Sequence, residues 1–409
     1  MLTQQAIIDF CNQHDYDVRK SGNGRWIDQK CAADVVSVIA DCICAYESEN
    51  SGSIFTTNDI WHYNYAIENV ENIFKKPGVI STAAKNEYDK FFQQPMEMLA
   101  NAQVLKKFKR ANRNFYQVNN LEVLEYIALR ERNALFFLKT YIEKSLIDSG
   151  IYSAFDNFFN CQTKDAYQNV KNVFSSFTIQ HTKINGVVEC NRIFIKVLNP
   201  LAYFKNSRGT ESGRLSDQII TYDMLMYNRN NFRDVYADKP KGVTRKEYAA
   251  SHPTIVNEAY YRYQSIKAKK FLRIFNDQIR GGQTEHPENM HINDKAIHMH
   301  HIFPEASYPE ICSYLENLIA LTPTQHLNYA HPNGHTQEID EQYQHLLLLS
   351  KADRICENLT DASMDHIYDF ANLLFVLSVG FDDDTILEID DMDFCAVINA
   401  INLHYTRLN

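Results

Sequence analysis

Apolar residues recur at three- and four-residue intervals over most of this chain, the spacing of helices that bury one face. Residues 1–50 show the pattern twice, around a turn at Ser21-Gly22-Asn23-Gly24-Arg25. The opening stretch carries Asp9 and Asp15 within its apolar pattern and has no basic leader, so it reads as an amphipathic helix and not as a signal peptide. The second helix, Asp34–Tyr46, is apolar on most sides (Val35, Val36, Val38, Ile39) and is predicted to be buried. A helix capped by Thr57 or Asn58 begins near Asp59, with Ile60, Tyr63, Ile67, Val70, Ile73 and Phe74 at helical spacing. Another starts near Ala84 (Tyr88, Phe91, Phe92), and a third follows Pro95 (Met96, Met98, Leu99).

The pattern then changes. Residues 104–118 read as a short hairpin with Leu105, Phe115 and Val118 as core contacts and a charged tip. Its basic residues Lys106, Lys107, Lys109, Arg110 and Arg113 fall within eight positions with no acid among them. Three helices followed by a basic hairpin, over about residues 54–121, resemble a winged helix-turn-helix domain. That resemblance implies phosphate contacts from the hairpin; the same charges also suit a solvated turn. Leu121–Lys144 is helical, and Val187–Glu189 and Ile193–Ile195 alternate as strands. Residues 201–250 are polar and turn-rich, and Arg229 and Arg233 in the run Tyr227–Asp234 carry donors suited to base edges. An exposed connector would look the same. A helix near Pro253–Phe275 carries Lys267, Lys269, Lys270 and Arg273, a second candidate phosphate-facing strip. Asp28-Gln29-Lys30 matches the (D/E)-x-K tail of another nuclease class, a tripeptide that chance supplies in almost any chain.

Composition narrows the class. Only 13 of 409 residues are glycine and 10 proline, where glycine alone is typically about 7%. Few turn-formers with 45% hydrophobic residues predict an α+β fold that is predominantly helical. The formal charge of −10 excludes a wholly basic nucleic-acid coat but not a local basic groove. The longest apolar runs, Leu346–Leu349 and Leu373–Val379, are far shorter than the roughly 20 residues of a membrane helix, so no membrane partner is expected. Nine scattered cysteines without a C-x-x-C pair argue against a zinc ribbon and for reduced thiols in a cytoplasmic setting. The acidic runs Asp382–Asp384 and Asp390-Asp391 lack calcium-loop spacing and read as a solvated face.

Nine of the fifteen histidines (His286, His291, His298, His300, His301, His326, His331, His335, His345) lie within 60 residues. Residues 296–303 alternate as a strand, which sets His298 and His300 on one face and His301 on the other. Leu318–Leu321 forms a second strand. Thr322-Pro323 then starts a helix, with Thr as N-cap and Pro at the first position, and His326 lies one turn inside it. His-His-Ile-x-Pro, then Asn317-Leu-x-x-Leu, then a histidine nine residues after the asparagine, resembles the HNH nucleases of the ββα-metal fold over about residues 290–335.

This resemblance implies that His301 is the general base, that Asn317 pins the loop carrying it, and that His300 and His326 hold one divalent ion. Mg²⁺ is expected, with Mn²⁺, Ni²⁺ or Zn²⁺ as alternatives. The family's further histidine falls four residues after the helix histidine. Ala330 stands there and His331 one step later, so two protein ligands are expected. His298, His331 and His335 read as supporting or surface residues.

A winged-helix-like N-terminal domain (1–150), a central α+β DNA-recognition region (151–280) and an HNH module with a helical extension (281–409) follow. So much chain ahead of a small nuclease resembles a type II restriction endonuclease. The resemblance implies a homodimer that cuts double-stranded DNA at a palindrome, leaves 5′-phosphate and 3′-hydroxyl ends, and needs no small-molecule cofactor beyond the metal. A modification-dependent endonuclease shares all these parts. A DNA-binding regulator with a non-catalytic HNH-like domain is a further alternative, and an RNA-directed or toxin nuclease a third.

Overall fold

The computed structural model describes residues 2–74, 76, 84–227, 258–286, 294–331 and 340–408. They are predominantly helical and divide into two compact units, Leu2–Ile255 and Val256–Asn409. The helix Glu258–Arg280, grouped with the central region in the sequence, therefore belongs with the histidine-rich unit.

In the first unit, α1 (Gln4–Asn12) starts where the Thr3 hydroxyl accepts from the Ala6 amide, and buries Ile7, Phe10 and Cys11. A four-residue turn, α2 (Val18–Ser21), leads through the Gly/Arg turn to α3 (Ala33–Glu49). Helix α3 is apolar almost all round and is covered accordingly. In the tripeptide ahead of it, Asp28 pairs with Arg25 at 2.5 Å and Lys30 donates to the Tyr227 hydroxyl at 2.6 Å.

Helix α4 (Thr57–Trp61) is capped one residue earlier than the sequence suggested. The Thr56 hydroxyl accepts from the Asp59 amide while the Asp59 carboxylate accepts from the Thr56 amide, a reciprocal box that neither Thr57 nor Asn58 forms. Helix α5 (Asn64–Phe74) follows, and α6 (Ala84–Asn101) runs straight through Pro95, so the expected third helix is the second half of one. A mid-helix proline costs roughly 3 kcal/mol. Complete burial of Phe91, Phe92, Met96, Met98 and Leu99 offsets it.

Strands β1 (Leu105–Arg110) and β2 (Arg113–Val118) form the expected antiparallel hairpin. Ala111 and Asn112 both take positive φ at its two-residue tip, the twist that a tight hairpin favours. The inward aromatic is Tyr116, whose hydroxyl donates to Glu97 at 2.6 Å; Phe115 and Val118 are only half-buried. The register explains Phe115, since Leu105, Lys107 and Lys109 share the inward face with Val118, Tyr116 and Asn114 and leave Phe115 with Phe108 on the other; Val118 lies on the inward face at the end of the strand.

Helices α7 (Leu121–Leu129) and α8 (Glu131–Asp148) break at an extended Arg130. After α9 (Tyr152–Cys161) and α10 (Lys164–His181), the two strands expected at 187–195 are instead one helix, α11 (Val187–Phe204). Cys190, Ile193, Phe194, Val197, Leu198 and Leu201 line its buried side, whereas Val187 and Val188 are 54% and 65% exposed. The β-branched run looked strand-like because its end of the helix faces solvent. A second hairpin, β3 (Arg208–Glu211) and β4 (Arg214–Ile219), covers α11. A Cβ at Gly209 would lie 2.5 Å from the Asn199 amide oxygen, so only glycine allows this approach.

The second unit is built on α12 (Glu258–Arg280) and the antiparallel pair β5 (His298–His301) and β6 (Leu318–Leu321). Three helices follow: α13 (Glu341–Thr360), α14 (Phe370–Phe381) and α15 (Phe394–Leu408). Every residue of β6 is buried. Glu285 bonds the middle of β6 twice, its amide donating to the Ala320 carbonyl at 2.9 Å and its carboxylate accepting from the Ala320 amide at 2.7 Å. That carboxylate also meets the fully buried Lys351 ammonium at 3.2 Å, and Lys351 donates to Tyr368. This buried cluster ties the strand pair to α13. Behind the strands, Gly380 leaves room for the Phe303 ring, which a Cβ would meet at 2.2 Å. None of the nine cysteines, all among the described residues, forms a disulfide. Among the described residues, no helix is long and apolar enough to cross a membrane.

Candidate metal centre

The β5–β6 register pairs His298 with Leu321, His300 with Ile319 and His301 with Leu318. Alternation along β5 directs His298 and His300 to one face and His301 to the other. Past β6 the chain turns at Thr322-Pro323. The Thr322 hydroxyl accepts from the Gln325 amide at 3.2 Å and the Gln325 side chain accepts from the Thr322 amide at 3.0 Å, a box that fixes the helix start. The helix then widens, and Gln325–Ala330 has π geometry.

That widening decides which histidines meet. In a regular α-helix His326 would share a face with residue 330, which is alanine; in the wider π turn it is the fifth residue that returns to the face. His331 is the residue that leaves this turn, its backbone already extended (φ −124°, ψ 94°), and the wider turn together with that exit brings it beside His326. The two ring centroids are 5.0 Å apart, and the His300 ring lies 5.1 Å from His326 and 5.0 Å from His331. One nitrogen from each of the three rings lies within 4.8 Å of the others. His331, expected as a supporting or surface residue, is buried in this triangle, and the expected pair of candidate ligands becomes three. His298 stacks on the outer side of His326 at 4.6 Å.

The electrostatics suit a cation. Burial, and after it the charges of His326 and His331, holds His300 well below its ordinary value. Burial, followed by His298, lowers His326 to about 4. Both rings are neutral at pH 7 and keep a lone pair for a ligand. Nδ1 of His326 is buried and has no hydrogen-bond partner among the described residues. Such an orphaned polar atom calls for a partner, and a cation at the triangle is one that three imidazoles fit.

On the opposite face, His301 is held by three groups. Its Nε2 lies 2.8 Å from the Cys312 carbonyl and 3.4 Å from the Ser265 hydroxyl, and its Nδ1 is 3.8 Å from Glu305. A carbonyl can only accept, so the proton sits on Nε2 and the lone pair on Nδ1. Burial and the Lys269 charge lower this ring to about 4.

Asn317 is fully buried. Its side-chain oxygen accepts from the Phe303 amide at 2.8 Å, and its Nδ2 donates to the carbonyls of Phe303 (2.9 Å) and Ile311 (3.3 Å). One amide thus closes the loop that leaves the His301 strand. Ser265, Glu305 and the Cys312 carbonyl were not anticipated as partners of His301. The i, i+4 spacing of Ser265 to Lys269 was a readable signal; a carbonyl contact has none in sequence.

The remaining candidates lie elsewhere. Lys106, Lys107, Lys109, Arg110 and Arg113 are all exposed on the hairpin of the first unit, and Lys107 pairs with Glu97 at 2.5 Å. Arg229, Arg233, His291 and His335 lie outside the described residues. The His286 and His345 rings bond Ser350 and Asn402. No protein-family model, curated protein or solved structure matches the chain.

Proposed function

We propose that this protein is a metal-dependent DNA endonuclease of the HNH type, acting as a type II restriction enzyme on double-stranded DNA. The observation that carries this reading is one short strand that presents a buried cation-binding imidazole on one face and a neutral, oriented imidazole on the other. A phosphodiester needs a nucleophilic water, a neutralised phosphate and a stabilised leaving oxygen.

His301 supplies the first. With Nε2–H tied to Cys312, its Nδ1 accepts a proton from a water, whose oxygen attacks phosphorus. The P–O3′ bond breaks, the sugar oxygen takes a proton from solvent water, and 5′-phosphate and 3′-hydroxyl ends result. Asn317 keeps the loop after His301 closed, so the base does not drift. His300, His326 and His331 would hold the ion, which when bound supplies Lewis-acid neutralisation of phosphate charge. Three nitrogen donors suit Mn²⁺, Ni²⁺ or Zn²⁺ better than the oxygen-seeking Mg²⁺.

The exposed basic hairpin, preceded by α4–α6, supports a winged-helix-like duplex contact, and palindromic cutting by a homodimer follows from the same reading. The test is digestion of a plasmid of known sequence, from methylating and non-methylating hosts, with each divalent ion in turn, followed by sequencing of the ends. Discrete cuts at one short sequence are expected, and His301→Ala should abolish them while still retarding duplex DNA in a gel. Equal cutting of every sequence removes the restriction role; absence of cutting with every ion removes the nuclease.

A further inference from the structure

Helix α12 carries Ser265, Lys269 and Arg273 one turn apart, on a single stripe. Both ends of the stripe are tied to the catalytic strand. Ser265 lies 3.4 Å from His301 and donates to Glu305 at 2.9 Å. Arg273 donates to the Ile297 carbonyl, just before β5, at 3.1 Å. From Ser265 to Arg273 is about 12 Å of helix, and from Ile297 to His301 about 13 Å of extended chain. Helix and strand therefore run in step in opposite directions, and Lys269 falls midway, level with the stretch between Ile297 and His301.

The electrostatics agree, since the Lys269 charge acts on His301 second only to burial and, more weakly than their other neighbours, on His300 and His326, while Glu305 opposes the lowering of Lys269 by burial. Among the described residues its ammonium has no hydrogen bond or ion pair. The other members of the strip are placed differently: Arg273 holds a carbonyl, Lys267 lies over the Tyr263 ring at 5.4 Å, and Lys270 is exposed.

We propose that Lys269 is the phosphate clamp of this centre: its ammonium binds a non-bridging oxygen of the scissile phosphodiester and neutralises the charge that grows there as the water oxygen bonds to phosphorus. The clamp rests on the nuclease reading. Lys269 acts as a cation and transfers no proton; the water proton passes to His301, and the P–O3′ pair leaves with the sugar oxygen, which takes a proton from solvent water. A fixed cation aimed at developing charge contributes to rate more than to ground-state binding.

The test uses the full-length chain loaded with Mn²⁺, as wild type, Lys269→Met and Lys269→Arg. Lys269→Met should lower kcat by about 100-fold with a much smaller change in KM, and Lys269→Arg should recover most of the rate. In the metal-free protein, Lys269→Met should reduce the slope of log affinity for duplex DNA against log salt by about one. Wild-type cutting by Lys269→Met overturns the clamp. So does equal failure of both variants with an unchanged salt slope, because a merely structural lysine behaves that way. If the wild type itself cuts no DNA with any ion, the nuclease reading fails and the clamp with it.

Discussion

His301 shows how much a single side chain depends on its surroundings. The imidazole alone would titrate near 6.5 and could carry its proton on either nitrogen. Burial removes the first freedom and the Cys312 carbonyl the second. The same burial makes the folded chain sensitive to acid. His301 and His326 are lowered to about 4 and His300 well below 6.5, so between those values the unfolded chain binds more protons than the folded one. Stability that is complete above pH 6.5 is therefore lost as the pH falls toward 4. Urea titrations of the metal-free protein should show a lower midpoint at pH 5 than at pH 7.5, and His300→Leu with His326→Leu should shrink the difference to what His301 contributes. A midpoint equal at both pH values would mean that these rings are not held neutral by the fold.

At the element scale, the π turn at Gln325–Ala330 is the feature on which the metal centre turns. A helix of ordinary pitch would present Ala330 beside His326 and leave the centre with two imidazoles. The wider turn presents His331. Removing that ring should weaken binding of Mn²⁺ or Zn²⁺ at least about tenfold, or roughly 1.4 kcal/mol, as read by isothermal titration of His331→Ala. The double variant Ala330→His/His331→Ala should fail to recover the affinity, since its imidazole is one step short of the triangle. Full recovery would show that the helix relaxes to ordinary pitch and that the widening is incidental. The Thr322–Gln325 box bears on this too, because it fixes the first turn and leaves the extra residue to be absorbed downstream.

For the whole molecule, the basic hairpin and the imidazole triangle belong to different compact units, so binding and chemistry should be separable by mutation. Within the hairpin the register divides the charges. Lys106, Arg110 and Arg113 share the face of Phe108 and Phe115, while Lys107 faces Glu97 with Tyr116. Arg110→Ala/Arg113→Ala should weaken duplex binding uniformly across sequences and lower the salt slope by about two. Metal affinity, measured by titration calorimetry on the same protein, should not move. An unchanged salt slope would remove the hairpin from the binding surface.

Much of this architecture was legible from local rules. Periodicity exposed the buried α3, the basic hairpin and the β5–β6 pair, and the Thr322-Pro323 start followed from capping chemistry alone. The helix, the hairpin and the helix start satisfy their hydrogen bonds within a few residues, so neighbouring positions suffice to read them; β5–β6 was read from alternation and composition, although partners such as His301 and Leu318 are remote in sequence. The misreadings share an opposite cause. Pro95 continues a helix because that helix buries Phe91, Phe92, Met96, Met98 and Leu99 in the core, Val187 and Val188 begin one because Cys190 and Phe194 further along it pack on α10, and His331 joins the triangle because a turn widens and the chain leaves it extended. Each depends on contacts between segments remote along the chain, whose free energy exceeds the local preference and leaves no trace in the adjacent residues.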